Sequence, residues 1–340
     1  MKAVVIPKSG PPEVLTYQDW PDPEPKPGEV RIRTKYAGVN FADTSARLGL
    51  YPDAPKAPCV VGYEVSGTID KLGEGVTQFG VGDRVFAMTM FGGYAELACA
   101  DARVVRRIPE RMTDEEAAAL PVVYVTAYHM LHGMTQVRAG DRVLIHAAAG
   151  GVGIAAVQMA RAAEAEIFGT ASPSKHDFLR GLGVTHCIDY TSQDFAVEVM
   201  RLTNGEGVDI VLDALGGSGL KKSYEVLRHG GRLFSFGFSS AMPGGKVNYL
   251  NIVSEFLRIP RFHPLKLMNA NRGVIGVNMN PLARNRPDLI GREFDGLLEF
   301  YDRGILRPRV DKIVDAKEPA DAHRQLESRK NVGKVLLRFA

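Results

Sequence analysis

Two hydrophobic periods divide this chain. Up to about residue 122, apolar and polar residues alternate in short runs: Lys2 to Ile6, Glu29 to Tyr36, Val60 to Leu72, Arg84 to Ala87, Gly93 to Ala100 and Val104 to Arg107. This is the pattern of half-buried strands. Gly73-Glu-Gly-Val and Gly80-Val-Gly-Asp read as turns between strands of a small barrel. The proline ladder Pro21, Pro23, Pro25 and Pro27 reads as an extended surface connector. From residue 123 to about 279 the pattern becomes buried strand, then helix, repeatedly. Val143 to His146, Glu166 to Thr170, Thr185 to Asp189, Val208 to Asp213, Gly231 to Gly237 and Gly273 to Met279 read as strands. Lys175 to Leu182, Asp194 to Leu202 and Gly219 to Arg228 read as helices between them. Such alternation predicts a parallel, doubly wound sheet.

The remaining stretch offers a helix from Pro287 to Arg303, a strand near Val310, a helix from Pro319 to Ser328 and a strand from Lys334 to Arg338. Lacking a second strand–helix array, it completes the first domain. The predicted division is 1–122 with 280–340 as one domain and 123–279 as the other.

Composition narrows the function classes. The chain's 340 residues leave room for two ordinary cores, and 45% hydrophobic with 24% charged residues is globular. A net charge of +3 without a Lys/Arg block gives no nucleic-acid stripe. Cys59, Cys99 and Cys187 are scattered, with no C-x-x-C pair, so neither a disulfide framework nor a structural zinc is expected. No apolar signal core opens the chain and no run approaches the ~20 residues of a membrane span, so a reducing cytoplasm is the expected location.

Candidate chemistry centres on Ala148-Ala-Gly-Gly-Val-Gly153, which follows a strand and opens a helix. It is the G-x-G-x-x-G dinucleotide fingerprint with Ala148 in the first glycine position. Gly150 lets backbone approach a pyrophosphate and Gly153 lets the helix pack on the strand, while Ala149, Gly151 and Val152 present N–H groups at the positive helix end. NAD enzymes place an acid ~20 residues on, at the end of the second strand. Here that strand ends Thr170-Ala-Ser172-Pro-Ser174-Lys175, with no acid before Asp177. Hydroxyls and a cation suit a 2′-phosphate, with Tyr190 beside them at the end of the third strand, so NADPH is the expected cofactor. Ser-Pro-Ser also reads as a cap of the following helix, a role compatible with the first.

The run Gly140-Asp-x-x-Leu-x-x-x-Ala-Ala-Gly-Gly-x-Gly-x-x-x-x-Gln-x-x-Arg161 resembles the quinone oxidoreductase signature of the medium-chain dehydrogenase/reductase superfamily. Ala37-Gly-Val-Asn-Phe-Ala-Asp43, Gly49-Leu-Tyr-Pro52, Gly62-Tyr-Glu64, Val81-Gly-Asp-Arg-Val85, Thr126-Ala-Tyr128 and Asn331-Val-Gly-Lys-Val-Leu336 are similar to further landmarks of that family. Gly169 to His176 and Asn269 to Gly276 most resemble its VAT-1-like branch. The resemblance implies a GroES-like catalytic β-barrel domain, a Rossmann cofactor domain and a homodimer joined through the sixth strands.

Departures from the zinc-dependent relatives are equally informative. Those enzymes carry Cys where this chain has Asn40, and Gly-His-Glu where it has Gly62-Tyr63-Glu64. Asn and Tyr do not replace thiolate and imidazole, so no catalytic zinc is expected. His129 and His132 lie one helical turn apart without a third ligand nearby and read as satisfied core or surface histidines. Without a metal, the acceptor must delocalise the charge that hydride addition creates, as quinones and α,β-unsaturated carbonyls do.

By the same resemblance, Asn40 and Tyr51 line the substrate side of the nicotinamide as candidate catalytic donors, and Thr126 lies near its ribose or ring. Phe236, Gly237, Ile275 and Val277 offer backbone along the cofactor. Asn331 and Lys334 close over it, although Lys334 also reads as a solvated strand charge. The segment from Val247 to Leu267 mixes apolar residues with Arg258, Arg261 and Lys266. It reads first as a lid or dimer surface; a membrane-surface contact is less favoured, because Pro260 and Pro264 break a long amphipathic helix. The expected activity is zinc-independent, NADPH-dependent reduction of a quinone or conjugated enone, with 2-alkenal or enoyl reduction, or a low-turnover NADPH-binding role at a partner or membrane, as the alternatives.

Overall fold

Alternation in the first hundred residues becomes seven strands in the computed structural model, which describes residues 1–241 and 249–339. They are β1 (Lys2–Val5), β2 (Thr16–Asp19), β3 (Glu29–Val39), β4 (Glu64–Leu72), β5 (Arg84–Met88), β6 (Leu97–Asp101) and β7 (Val105–Arg107). Helices α1 (Phe41–Arg47), α2 (Asp114–Ala118) and α3 (Pro121–Tyr128) follow among and after them. The parallel array is β8 (Arg142–Ile145), β9 (Glu166–Ala171), β10 (His186–Asp189), β11 (Val208–Asp213), β12 (Leu227–Ser235) and β13 (Gly273–Gly276). Its helices are α4 (Gly151–Ala162), α5 (His176–Leu182), α6 (Phe195–Leu202), α7 (Gly219–Glu225), α8 (Tyr249–Leu257) and α9 (Pro264–Ala270). The chain ends with α10 (Met279–Asn285), α11 (Pro287–Asp302), β14 (Val310–Asp315), α12 (Pro319–Glu327) and β15 (Lys334–Arg338). Two units result: Met1–Val125 with Met279–Ala340, and Thr126–Asn278.

In the first unit the sheet order is β14-β15-β3-β4-β5-β7, with β6 paired to β3. The long β3 holds it together, since it pairs antiparallel with β15, β4 and β6. Register sets Val39 opposite Val335, which brings Asn40, just past β3, beside the start of β15. The core beneath includes Val4, Ile6, Ile32, Val61, Val85, Leu337 and Phe339, all buried. In the second unit the parallel order β10-β9-β8-β11-β12-β13 is doubly wound, reversing between β8 and β11. The fold class expected from the sequence is the one observed.

Several boundaries differ. The strand expected to run to Met279 stops at Gly276, and Met279 starts α10. Helix α1 was not anticipated, although Asn40 and Asp43 form the two halves of a capping box at its start. Strand β2 was also not anticipated, because three of its four residues are exposed and leave no apolar stripe. Residues 247 and 248, the start of the segment read as a lid or dimer surface, lie outside the described residues.

Candidate active site

In the second unit, β8 delivers the chain to the turn Ala147–Gly150 and helix α4 starts immediately. Gly150 is the N-cap and contributes no side chain, so the first N–H groups of α4 stay open to an anion. A Cβ on Gly153 would lie 2.4 Å from the Ala147 carbonyl oxygen and 2.6 Å from Ala148 backbone, so only glycine permits this helix–strand approach. On Gly150 a Cβ would meet Ala147 O at 3.2 Å. These crevices fit the pyrophosphate of a dinucleotide. A Gly153→Ala variant is expected to lose about 1–3 kcal/mol of stability from the backbone shift it forces, read as a lower urea midpoint, and to lose dinucleotide retention with it.

At the ends of β9 and β10, Ala171 and Asp189 are partners, which sets Ser172 and Tyr190 at neighbouring strand ends. The Ser172 hydroxyl lies 3.3 Å from that of Ser174 and caps no helix N–H, although Ser172 occupies the N-cap position of the 3-10 turn Pro173–Lys175. Tyr190 is 46% exposed. Thr170 is elsewhere: it is buried, with its Oγ1 accepting the Ala147 N–H at 3.3 Å and lying 3.1 Å from His146 Nδ1. Its side chain meets the turn that carries the glycines. Phe236 N donates to Asp213 O at 3.0 Å, and Gly237 is pressed against Ala214, where a Cβ would lie 2.6 Å from the carbonyl oxygen. Ile275 sits on β13 opposite Phe234, and Val277 N donates to Ser235 O at 2.9 Å. Thr126 is buried on α3, while His129 and His132 fall in a π-helical turn after it. Burial holds the pKa of His132 below its ordinary value.

The first unit assembles a buried charged cluster. Lys334 Nζ lies 2.5 Å from Glu64 Oε1 and donates to Asn40 Oδ1 at 2.5 Å, while Asn40 Nδ2 donates to the same Glu64 oxygen at 2.8 Å. The other Glu64 oxygen accepts Val122 N at 2.6 Å. Lys334 is 3% exposed and Glu64 0%, so the solvated-charge reading of Lys334 is overturned. Burial on this scale is tolerated because each charge meets its opposite and a further hydrogen bond. Asn40 has its carbonyl and one N–H committed here, and its amide also faces Gly38 O at 3.5 Å. It orients the ammonium rather than presenting a free donor.

Beside it, Asp43 accepts the N–H groups of Asn40 at 2.8 Å and Gly62 at 3.0 Å. Complete burial outweighs these bonds and pushes its pKa up to about 7. The folded state therefore holds a proton that the unfolded chain releases near pH 4. Stability from this group is fully present below that value and is lost as pH rises through 7. A fall of roughly 2–3 kcal/mol is expected between pH 5 and 8 in urea unfolding, with Asp43→Asn flattening the slope.

Tyr51 is half-buried with its ring 6.0 Å edge-on from Tyr63, which stands 5.1 Å from Phe91. The Tyr63 hydroxyl is buried without a partner among the described residues. Asn331 turns its amide onto Gly333 O at 2.9 Å, just before β15. A zinc ion does not fit this donor set. Asn40 and Tyr63 are poor ligands, and the Lys334 ammonium already occupies the carboxylate and the amide oxygen.

Sequence reasoning passed over Glu64, Asp43, His146, Asp213 and Ser223. The signal was available for two: His146 and Asp213 each end an apolar run at the C-terminal edge of a buried strand, where polar residues serve ligands.

Two family models match the chain. Residues 26–110 match the family described as alcohol dehydrogenase GroES-like domain, and residues 182–337 the family described as zinc-binding dehydrogenase. The synaptic vesicle membrane protein VAT-1 homolog of Danio rerio is 40% identical over 316 residues, covering 93% of this chain, which spans 65% of that protein's length. The Homo sapiens protein of the same name is also 40% identical, with 93% of this chain and 80% of the relative covered. Among solved structures, Escherichia coli quinone oxidoreductase complexed with NADPH superposes with a TM-score of 0.87 at 28% identity, both chains covered at 100%. The CurK enoyl reductase superposes with a TM-score of 0.86 at 32% identity, covering 100% of this chain and 99% of that one.

Proposed function

Because this chain belongs to the VAT-1-like branch of the medium-chain dehydrogenase/reductase family, we propose that it is a zinc-independent, NADPH-dependent reductase of quinones or conjugated enones. The observation that carries the reading is the donor set of the catalytic unit. An ammonium, an amide and phenols offer protons and hydrogen bonds, not the lone-pair cage that a Lewis-acidic metal needs. Such a site suits an acceptor that spreads its own developing charge.

The dinucleotide is held by the N–H groups of Ala149, Gly151, Val152 and Gly153 at the start of α4, where Gly150 lets the backbone approach the pyrophosphate, with Ser172, Lys175 and Tyr190 at the 2′-phosphate. When bound, the nicotinamide supplies the hydride. Thr126, Phe236, Gly237, Ile275, Val277 and Asn331 complete its path. Lys334 spends two of its three N–H donors on Glu64 and Asn40; the third stabilises the acceptor oxygen as negative charge develops there. Asn40 fixes the direction of that donor. Tyr51 donates to the same oxygen, and solvent returns the proton. Reduction of a 2-alkenal or enoyl thioester needs the same donors, and the enoyl reductase likeness supports it as the alternative acceptor class.

A homodimer is proposed through β13, which pairs only with β12 among the described residues and leaves an edge to cover. A second reading, association with a partner or membrane surface, is favoured by the exposed apolar residues Val253, Phe256, Leu257, Leu265 and Met268 near the exposed Arg258. Among the described residues no helix is long and apolar enough to cross a membrane, so the contact would be peripheral. A cytoplasmic location goes with the enzyme reading.

The test is NADPH and NADH oxidation against a panel of quinones, enones and enoyl thioesters, with and without a chelator, alongside liposome flotation. Turnover with NADPH that survives chelation supports the reading. Flotation without oxidation of NADPH by any acceptor contradicts it.

A further inference from the structure

Between β8 and β11, where the sheet order reverses, four buried polar side chains form one continuous chain. Thr170 Oγ1 lies 3.1 Å from His146 Nδ1, His146 Nε2 lies 3.1 Å from Ser223 Oγ, and Ser223 Oγ lies 2.5 Å from Asp213 Oδ2. All four residues are at most 2% exposed. The hydrogens can be assigned from the inventory of donors and acceptors. Asp213 carries only lone pairs, so Ser223 donates to it. Ser223 Oγ is then the acceptor for His146 Nε2–H. Burial keeps His146 neutral, so its Nδ1 is bare and accepts from the Thr170 hydroxyl. Thr170 Oγ1 in turn accepts the Ala147 N–H at 3.3 Å. Every bond points the same way, from the glycine turn to the carboxylate. Phe195 stands edge-on to the imidazole at 4.5 Å and fixes its plane.

Both ends of this chain hold turns with left-handed residues. Ala147 has φ 52°, left-handed for a residue with a Cβ. Its carbonyl accepts Gly150 N at 2.8 Å and is the atom against which Gly153 packs. At the far end, Asp213 Oδ1 accepts Leu215 N at 2.8 Å and Gly216 N at 2.7 Å, where Gly216 and Gly217 have φ 66° and 56°. Movement of either turn breaks a bond in a chain buried away from solvent.

We propose that Thr170, His146, Ser223 and Asp213 are positioning residues for the dinucleotide: their hydrogen-bond chain locks the phosphate turn after β8 to the turn after β11, and Thr170 acts on the cofactor through it without touching it. The proposal rests on the dinucleotide reading above.

The experiment measures NADPH dissociation constants by fluorescence titration, steady-state constants and thermal midpoints for Thr170→Val, Thr170→Ser, Ser223→Ala and the Thr170→Val/Ser223→Ala pair. Loss of either hydroxyl should weaken NADPH roughly tenfold. Thr170→Ser, which keeps the hydroxyl, should stay within about twofold, and the double variant should resemble either single one, because one chain is broken once or twice. The acceptor KM should not move. Nitrogen NMR of the histidines should show one buried imidazole protonated at Nε2 that changes state in Ser223→Ala. Variants with lowered thermal midpoints but unchanged NADPH affinity would make the chain a packing element and overturn the proposal. So would Thr170→Ser behaving like Thr170→Val. Failure of the unaltered protein to bind either NADPH or NADH would instead remove the cofactor reading itself.

Discussion

Lys334→Met is expected to cost about 3–5 kcal/mol of folding stability. The substitution keeps most of the side-chain volume and removes the charge with its N–H donors. Glu64, with no exposure to water, then has no cation at 2.5 Å, and Asn40 loses the donor to its carbonyl. An unpaired buried carboxylate is among the most destabilising defects available to a core, and the chain either takes up a proton there or opens β15 from β3. Adding Glu64→Gln should return most of the loss, because a neutral amide still accepts Val122 N and donates within the cluster. Recovery of the urea midpoint without recovery of turnover would separate the structural pair from the role proposed for the ammonium at the acceptor oxygen. Equal midpoints for Lys334→Met and the unaltered protein would show that the pair does not hold the unit together.

Much of this was legible in the chain. The switch from alternating to strand–helix patterning marked the two large sheets, because pleat and helix periods expose different residues to a core. The glycine turn was legible because Gly153 has no substitute where a Cβ would lie 2.4 Å from a carbonyl. What the pattern did not carry was pairing over long separations. Lys334 and Asn40 are brought together by the β15–β3 register, and nothing local to either residue distinguishes a buried ammonium from a solvated one. Thr170 shows the same gap from the other side. It ends the second strand where cofactor-binding residues stand, yet the strand's alternation turns its side chain inward to His146. Helix α1 carried a capping box that was hidden because its seven residues follow a strand without punctuation.

The second large effect concerns the cofactor. Lys175→Glu is expected to raise the dissociation constant for NADPH about 100-fold while leaving that for NADH within about threefold, because a carboxylate repels the 2′-phosphate but accepts a bond from a free 2′-hydroxyl. Lys175 closes the 3-10 turn that follows β9, beside Ser172, and no acid precedes Asp177 in that turn. Fluorescence titration with both nucleotides checks it. Equal weakening of the two would mean that the residue shapes the turn and does not read the phosphate. Ser172→Ala should produce a smaller change in the same direction, since it removes one hydrogen bond and no charge.

The central claim is that this chain transfers a hydride from NADPH to a conjugated acceptor without a metal. Its most direct test is a single turnover of metal-stripped protein with NADPH deuterated at the nicotinamide C4 and an enone whose product is analysed by mass spectrometry. The account predicts one deuterium on the β-carbon of the reduced product, in the same yield with and without added zinc. Product formed only after zinc is restored, or NADPH that binds and returns with its deuterium untouched, would contradict it.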